Sequence, residues 1–556
     1  MKSSLDPITL ELVRCRLEAG AQQMAAALWK SSYSIVIREM LDYSTAIFDA
    51  QGQMVAQSAQ LPFQMMTMSA PLQYLQRGGF DWKDGDVVLL NDPYACEGQH
   101  LPDFMTFRPI FAGPLLLGFA GAIAHMIDIG GGAAGSYFAT ATEIFQEGLR
   151  IPPIKVVAEG RVRQDIFDLI GLNVREPEKT LGDLKAMIAC TAVGQQAMLE
   201  LVERYGLAIL PIAMAEIQDG SERLLRARIS ALPPGTYRAI DYVDDDGITT
   251  DPIRIKLALT VARDSVVARF DGSSPQVRGP VNATLSMTET TVNYAIMAAL
   301  GHGIPKNDGC RRVIRVEAPV GSVVNARFPA PVVSRVTTCH RMVDVMLQAL
   351  ARVIPRRIMA GYYGVSNICN LGGMDPATNR PWVHFDIEVG GWGGRLGADG
   401  NDAFSAHIHN VANIPVEVVE ANPRLRLERY ELIPGSGGKG KYRGGLGLRR
   451  DIRVLADNVT LSLLGDHSKF APRGLVGGQP GLPGRYVLNP DTPQARVMPN
   501  KLSNFMMKRG DVISMQTPGG GGYGSARLRP RALAERDRRE GKDRLIPAAK
   551  RPAQAR

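Results

Sequence analysis

Apolar residues recur at helical spacing from Ile8 through Leu28. They follow an Asp6 that can cap and a Pro7 suited to the first helical position, so the sequence opens on a helix. The texture then changes to short apolar runs punctuated by Asp-Gly, Asn-Asp-Pro and Gly-Gly. Residues 45–48, 87–90 and 115–124 read as strands, and so does the run Ile35-Val36-Ile37-Arg38-Glu39-Met40. Helical spacing returns over 175–207. Strands are expected near 237–243 and 253–270, and helices near 288–300 and 340–354. From Gly390 onward glycine dominates, in GGWGGRLGADG, PGSGGKGKYRGGLG and TPGGGGYG. Separated by β-favouring stretches such as 458–464, these glycines predict tight turns in a β domain.

The pattern defines an α+β, multi-domain chain with mixed sheets. Boundaries are expected near 200 and 390, giving units 1–200, 201–390 and a glycine-rich β region 391–524. Composition changes this picture little: 45% hydrophobic and 21% charged residues are ordinary for a soluble globular protein. The net charge of +9 is concentrated at the C-terminal end, since residues 525–556 carry 11 Lys/Arg against 4 Asp/Glu. That segment reads as a basic disordered tail over a nearly neutral body. No nucleic-acid-binding pattern accompanies it. Six scattered cysteines without a CxxC pair suit reduced, buried thiols. With no signal-peptide-like segment and no long apolar run, the expected location is the cytoplasm.

Candidate chemistry is densest between Asn91 and Asp128. Asn91-Asp92-Pro93-Tyr94 precedes Gln99-His100-Leu101-Pro102-Asp103, and His125 closes the apolar run before Met126-Ile127-Asp128. His100 and Asp103 can project from one turn, and His125 stands where a buried strand meets a polar loop. Two imidazoles and a carboxylate suit a divalent transition metal with positions left for water or substrate. Spacing alone slightly favours two hydrogen-bonding core histidines. Glu39, with Asp42 close behind, is either an ion-paired carboxylate or a ligand or base. Gly130, Gly131 and Gly132 satisfy GxGxxG with Gly135, but Asp128 just ahead opposes a pyrophosphate and no clean βαβ unit follows. No GxxxxGK[ST] occurs. The pair His407 and His409 reads as one polar strand face.

These blocks resemble the hydantoinase B/oxoprolinase family. NDPY, GQHLPD, AHMIDIGG and EIFQEGLRIPPIK look like its signature, and similarity continues through NVREPEKTLGDLKA, NDGCRRVIRVEAPVGSVVNARFPAPVVSR, GGWGGRLGADGNDA, RYELIPGSGGKGKYRGGLG and TPGGGGYG, to about Gly524. The resemblance implies one half of a split enzyme that opens cyclic amides such as hydantoins, 5-oxoproline or larger lactams. A hydantoinase A-type partner of actin-like kinase fold would bind ATP and Mg²⁺ and phosphorylate the substrate oxygen. This chain would then process the intermediate at a divalent metal, Zn²⁺ or Mn²⁺, in its N-terminal unit. The implied ligands are His100, Asp103, His125 and Glu39. Glu39 or Asp128 would act as base or orienter, and Gly130–Gly132 as backbone donors to departing phosphate. Related ketone carboxylases imply an alternative, joining an enol phosphate to CO₂. A third is a non-catalytic scaffold. Two departures stand out. Met40-Leu41 replaces a charged pair, and Gln60 and Gln64 stand where relatives often carry histidines. The neighbouring Met65, Met66 and Met68 are expected in the core.

Overall fold

The computed structural model describes residues 5–64 and 66–543; Met65 and residues 544–556 of the basic tail lie outside that range. Helix α1 (Pro7–Ser31) begins as its sequence demands, with Asp6 accepting a hydrogen bond from Thr9 N at 3.0 Å. The next element differs from expectation. Ile35–Arg38 is a short helix, α2, capped by Ser34, and Glu39 is its C-cap rather than a strand residue. Four apolar residues fit a buried helix turn as readily as a strand, and the capping serine decides.

Seven antiparallel strands follow: β1 (Tyr43–Asp49), β2 (Met54–Ala59), β3 (Val87–Leu90), β4 (Asp103–Ala112), β5 (Leu115–His125), β6 (Ile154–Ala158) and β7 (Arg161–Val162). They form one sheet in the order β2-β1-β5-β4-β3-β6-β7. Helix α3 (Ser69–Arg77) lies between β2 and β3 in sequence, and α4 (Gln164–Asn173) and α5 (Pro177–Tyr205) follow β7. Helices α1 and α5 pack against the sheet, so β5 is buried for nearly its whole length, as its continuous apolar run requires.

Helix α6 (Ile209–Ser230) was hidden by the Gly206 and Pro211 breaks. It leads to a four-stranded sheet of β8 (Gly235–Val243), β9 (Ile253–Val261), β10 (Val266–Arg269) and β11 (Ile314–Glu317), ordered β11-β10-β9-β8. Alternate residues of β9 are buried, and α8 (Arg335–Ala351), itself packed on α7 (Leu285–Leu300), covers the sheet. A third sheet joins Asn367–Asp375 and Arg380–Glu388 to Val459–Leu464 and Lys501–Met507; a fourth contains five strands between Leu425 and Gln516. Strands from both sides of residue 390 share the third sheet, and α5 runs through residue 200. Neither expected boundary therefore separates independent layers.

Two further expectations are corrected. The glycine-rich segments are turns only in part, at Gly397 (φ +90°) and Gly435 (φ +72°). Residues 391–394, 437–445 and 518–524 are mostly extended chains outside regular sheet, hydrogen-bonded side by side, as in Gly394 N to Gly521 O at 2.8 Å and Gly438 N to Gly520 O at 2.8 Å. The tail is not disordered throughout. Residues 531–539 form a helix whose Asp537 is buried against Arg443 and Arg529, while Arg529 pairs with Asp399 at 2.9 Å and Lys542 with Asp402 at 3.0 Å. Three of the tail's cations, Arg529, Arg536 and Lys542, thus face acidic partners on the body. Among the described residues no helix is long and apolar enough to cross a membrane.

Candidate metal centre

The register of β4 and β5 builds the centre. Asp103, the first residue of β4, lies opposite His125, the last residue of β5. Directly opposed residues project to the same face of a sheet. A turn closed by Asp103 N to His100 O at 3.1 Å brings His100 alongside, and His125 N donates to Asp42 O at 3.1 Å, drawing in the segment after α2. The His100 and His125 rings lie 5.2 Å apart, and His100 Nε2 is 3.1 Å from Asp103 Oδ2 without hydrogen-bond alignment. All three side chains are buried to 1% exposure or less.

Neighbouring groups hold these residues in place. His100 Nδ1 is 3.2 Å from Val333 O, which makes Nδ1 the protonated nitrogen and leaves the Nε2 lone pair free. Tyr137 OH lies 3.3 Å from His125 Nε2, and Phe385 packs against both rings. Arg335, the first residue of α8 and fully buried, donates to Asp103 Oδ2 and Gln99 Oε1, each at 2.8 Å. Gln64 bridges Ser44 and Asp42: Ser44 Oγ donates to its Oε1 at 2.7 Å, and its Nε2 donates to Asp42 Oδ1 at 2.9 Å. Met66 and Met68 are core residues.

Burial, reinforced by the Arg335 charge, lowers the His100 pKa to about 4; burial and the adjacent His100 lower that of His125 to about 3. Both imidazoles are therefore neutral at pH 7, as metal ligation requires. Burial alone would raise the Asp103 carboxyl, but His100 and Arg335 outweigh it and hold the group at about 2. Asp42 is pushed well up by burial and then by the Asp103 charge.

Among the described residues, no group of three or more His, Cys, Asp or Glu side chains already converges in metal-holding geometry. The donor atoms nevertheless fit. His100 Nε2, Asp103 Oδ1 and His125 Nδ1 are all buried and without a hydrogen-bond partner. Three orphaned donors in one sealed cluster are costly unless something supplies the missing partner.

Among the described residues, the remaining predicted site residues make no hydrogen bond or ion pair with these three side chains. Glu39 is half-buried, and among the described residues its carboxylate makes no hydrogen bond or ion pair. Asp42 is the carboxylate that joins the cluster. Asp128 is spent on its own loop. Its oxygens accept from Gly130 N at 2.9 Å, Gly135 N at 3.0 Å and Arg175 N at 2.8 Å, and Arg175 also pairs with it at 3.0 Å. Gly130 N is thereby used, and Gly132 N donates to Gln146 O, which leaves at most Gly131 N of the three for an anion. Gly131 takes φ +78° with its α-carbon face against the Gln146–Glu147 backbone, where a Cβ would come within 2.7 Å. Close backbone packing accounts for Gly130 and Gly131, whereas Gly132 lies against the Phe138 ring. His407 and His409 are both buried; His409 lies against Phe63, 5.1 Å between ring centroids, and within hydrogen-bond distance of Ser366, which also meets His340.

Sequence reasoning passed over Arg335, Tyr137 and Phe385. Arg335 ended one of the blocks carrying the family resemblance, but nothing local connected it to a carboxylate more than 200 residues earlier.

A second buried acid gives a pH signature. Glu147 Oε1 accepts from Val333 N at 2.7 Å, Oε2 has no partner, and burial raises its pKa to about 8. A carboxyl in the unfolded chain titrates near 4.3, so the native state holds the extra proton between these values. Stability from this group is full below about pH 4 and declines as pH rises through about 8, by about 1.4 kcal/mol per unit in between. Glu147→Gln is expected to flatten that decline relative to wild type in urea melts from pH 5 to 8. Parallel curves would count against a protonated Glu147.

Comparison with known proteins gives this architecture a class. The model of the hydantoinase B/oxoprolinase family matches residues 6–526, and the chain belongs to that family. It is 33% identical to the B component of a putative D-/L-hydantoinase of Pseudomonas sp. (strain NS671) over 94% of this chain and 90% of the relative. It is 30% identical to the beta chain of the caprolactamase of Pseudomonas jessenii, covering 97% and 94%. The 31% identical 5-oxoprolinase of Dictyostelium discoideum is longer, with 40% of its length matched. The crystal structure of ATP-dependent caprolactamase from Pseudomonas jessenii superposes with a TM-score of 0.89 at 28% identity, over 97% of this chain and 94% of that one. An acetone carboxylase structure shares the fold, with a TM-score of 0.89 at 22% identity, over 96% and 78%.

Proposed function

We propose that this chain is the metal-binding component of an ATP-dependent hydrolase that opens a cyclic amide, with a hydantoinase A-type partner phosphorylating the ring oxygen. One observation carries the reading: three buried donors of the right chemistry, His100 Nε2, Asp103 Oδ1 and His125 Nδ1, lie in one sealed cluster without partners. Relatives named as one component of a hydantoinase and one of a caprolactamase support the substrate class and the need for a partner.

His100, Asp103 and His125 would hold a divalent cation, Zn²⁺ or Mn²⁺, with Asp42 the neighbouring carboxylate in place of Glu39. When bound, such a cation supplies Lewis acidity toward the activated ring and an attacking water. The chain's own groups set the stage. Val333 O keeps the Nε2 lone pair of His100 available, and Arg335 fixes Asp103 through Oδ2 while leaving Oδ1. Asp42, kept protonated more readily than an ordinary carboxyl, is placed to exchange a proton beside the cluster. Tyr137 and Phe385 exclude bulk water around His125.

The test is a reconstituted assay. The chain is co-purified with its A-type partner and offered ATP with hydantoin, 5-oxoproline or caprolactam, and in parallel ATP, bicarbonate and acetone or acetophenone. Ring opening that needs ATP and both chains is expected. Bicarbonate-dependent carboxylation without ring opening would transfer the assignment to the ketone carboxylases. Inactivity on all of these, with a stable heteromer, would favour a scaffold.

A further inference from the structure

Farther along α8 from Arg335 lies a second polar site. Arg335, at the start of this helix, serves the metal centre, while Arg341 and Asp344, two turns on, belong to another buried network. Arg341 is fully buried and pairs with Asp466 and, at 3.2 Å, with Asp344 Oδ2; it also donates to His467 Nε2 at 2.6 Å. His467 adopts φ +59° and turns Nδ1 to Phe470 O, so both of its nitrogens are engaged. Lys501, also buried, lies 3.4 Å from both Asp466 and Asp245. Lys469 pairs with Asp245, and Arg473 with Asp241. Asp244 accepts from the backbone of Ser468, Lys469 and Phe470.

This network opens onto a cavity of about 300 Å³. Asp344, His467 and Met359 form part of its wall, the backbone of Gly361 and Gly474 another part, and Gln348, Arg352 and Arg473 also line it. Asp241 contributes no free acceptor, because Gln348 donates to its Oδ2 at 2.8 Å and Arg473 approaches its Oδ1. Asp344 is different. Its side chain is 7% exposed and spends only Oδ2 on Arg341; among the described residues Oδ1 accepts no hydrogen bond on the cavity wall. The network sets five carboxylates (Asp241, Asp244, Asp245, Asp344 and Asp466) against four cations (Arg341, Lys469, Lys501 and Arg473), leaving one negative charge in excess. Burial pushes Asp344 up, against His467, whose Nε2 lies 3.6 Å from its Oδ2, and the Arg341 charge, which both pull it down. Arg352 is exposed on the same cavity and has no ion pair among the described residues.

A buried acceptor short of a cation and an exposed guanidinium without an anion, lining one small cavity, describe a receptor for a zwitterion. We propose that this cavity binds a small amino acid, its ammonium on Asp344 Oδ1 and its carboxylate on Arg352, at a site separate from the metal centre. Opening a lactam ring releases one amine and one carboxylate in a single molecule, so the ligand is of the class that the proposed reaction would produce. The identity of the amino acid rests on the functional reading above; the binding chemistry does not.

The experiment is isothermal titration of the full-length chain, with its partner if one co-purifies, after chelation to empty the metal centre. The probes are 6-aminohexanoate and L-glutamate, with hexanoate and hexylamine as single-charge controls. Saturable binding of at least one zwitterion, about tenfold or more tighter than both controls, is expected. Asp344→Asn should weaken it by roughly tenfold and Arg352→Gln by several-fold. Arg352 is exposed, so its variant keeps the test valid if Asp344→Asn fails to fold. No saturable binding of either zwitterion up to 20-fold molar excess at millimolar protein, or binding that Arg352→Gln leaves unchanged, would overturn the proposal. Zwitterion binding without ring-opening activity would leave this site standing and the hydrolase reading fallen; activity without binding would do the reverse.

Discussion

His125→Ala is expected to strip the cation proposed for the cluster from the purified chain, from about one ion to nearly none, and with it the proposed ATP-dependent turnover, while the fold persists. The argument is one of donors. His125 supplies one of three orphaned buried atoms, and a three-ligand set that loses one falls to a pair that water competes with readily. Deleting the ring also removes packing against Tyr137 and Phe385, so some loss of stability, roughly 2–4 kcal/mol, is expected. In a chain of 556 residues that shifts the melting transition without eliminating it. Elemental analysis beside circular dichroism separates the two effects. His100→Ala should behave alike. Glu39→Ala should retain metal, because among the described residues its carboxylate makes no hydrogen bond or ion pair with the cluster, whereas Asp42→Asn should weaken it. Asp128→Asn should instead lower stability with metal content unchanged, because that carboxylate ties the 130–135 loop to Arg175. Metal retained in His125→Ala and lost in Glu39→Ala would reverse the ligand assignment.

The contrast between Glu39 and Asp42 shows what was legible in the sequence. The end of an eleven-residue apolar strand locates His125, and the HLPD turn locates His100 and Asp103, because strand ends and proline turns fix side-chain direction locally. The segment after α1 carries no such constraint. Read as a strand, IVIREM turns Glu39 into a lone buried carboxylate; with Ser34 as a cap it is one helical turn, and the chain beyond it delivers Asp42 instead. Arg335 was not legible, because its carboxylate partner is 232 residues away and only tertiary packing joins them. The same holds for the sheet that crosses residue 390: strand alternation reveals strands, but not which distant strand each will pair with. The glycine-rich region was read by the commonest use of glycine, turning, when its main use here is close approach of extended chains.

That use makes Gly520→Ala the second large prediction. Residues 519–522 are four consecutive glycines, and a Cβ on each would meet a different neighbour: Ser436 O, Trp392 O, Arg473 O and Lys439 O in turn, all far inside van der Waals contact. The chain is therefore hemmed in on several sides by other backbones, the condition that makes glycine obligatory at the collagen axis. Gly520 itself donates to Gly445 O at 2.9 Å and accepts from Gly438 N at 2.8 Å; Gly521 donates to Gly361 O at 2.7 Å and accepts from Gly394 N at 2.8 Å. These backbone contacts cannot yield as the end of a flexible side chain can. Making room for a methyl group separates the chains and strands several buried donors and acceptors, each costing roughly 1–3 kcal/mol. Gly520→Ala is expected to leave the chain insoluble, or to lower its melting temperature by more than 10 °C, and Gly445→Ala to do likewise. Gly220→Ala is the control. It lies inside α6, where the nearest atom to a new Cβ is Arg223 Nη2 at 3.8 Å, so it should stabilise by roughly 0.5–1 kcal/mol through helix propensity. Scanning calorimetry on the three variants reads both signs, and a Gly520→Ala protein that melts with wild type would mean that the glycine chains are held apart in solution rather than bonded side by side.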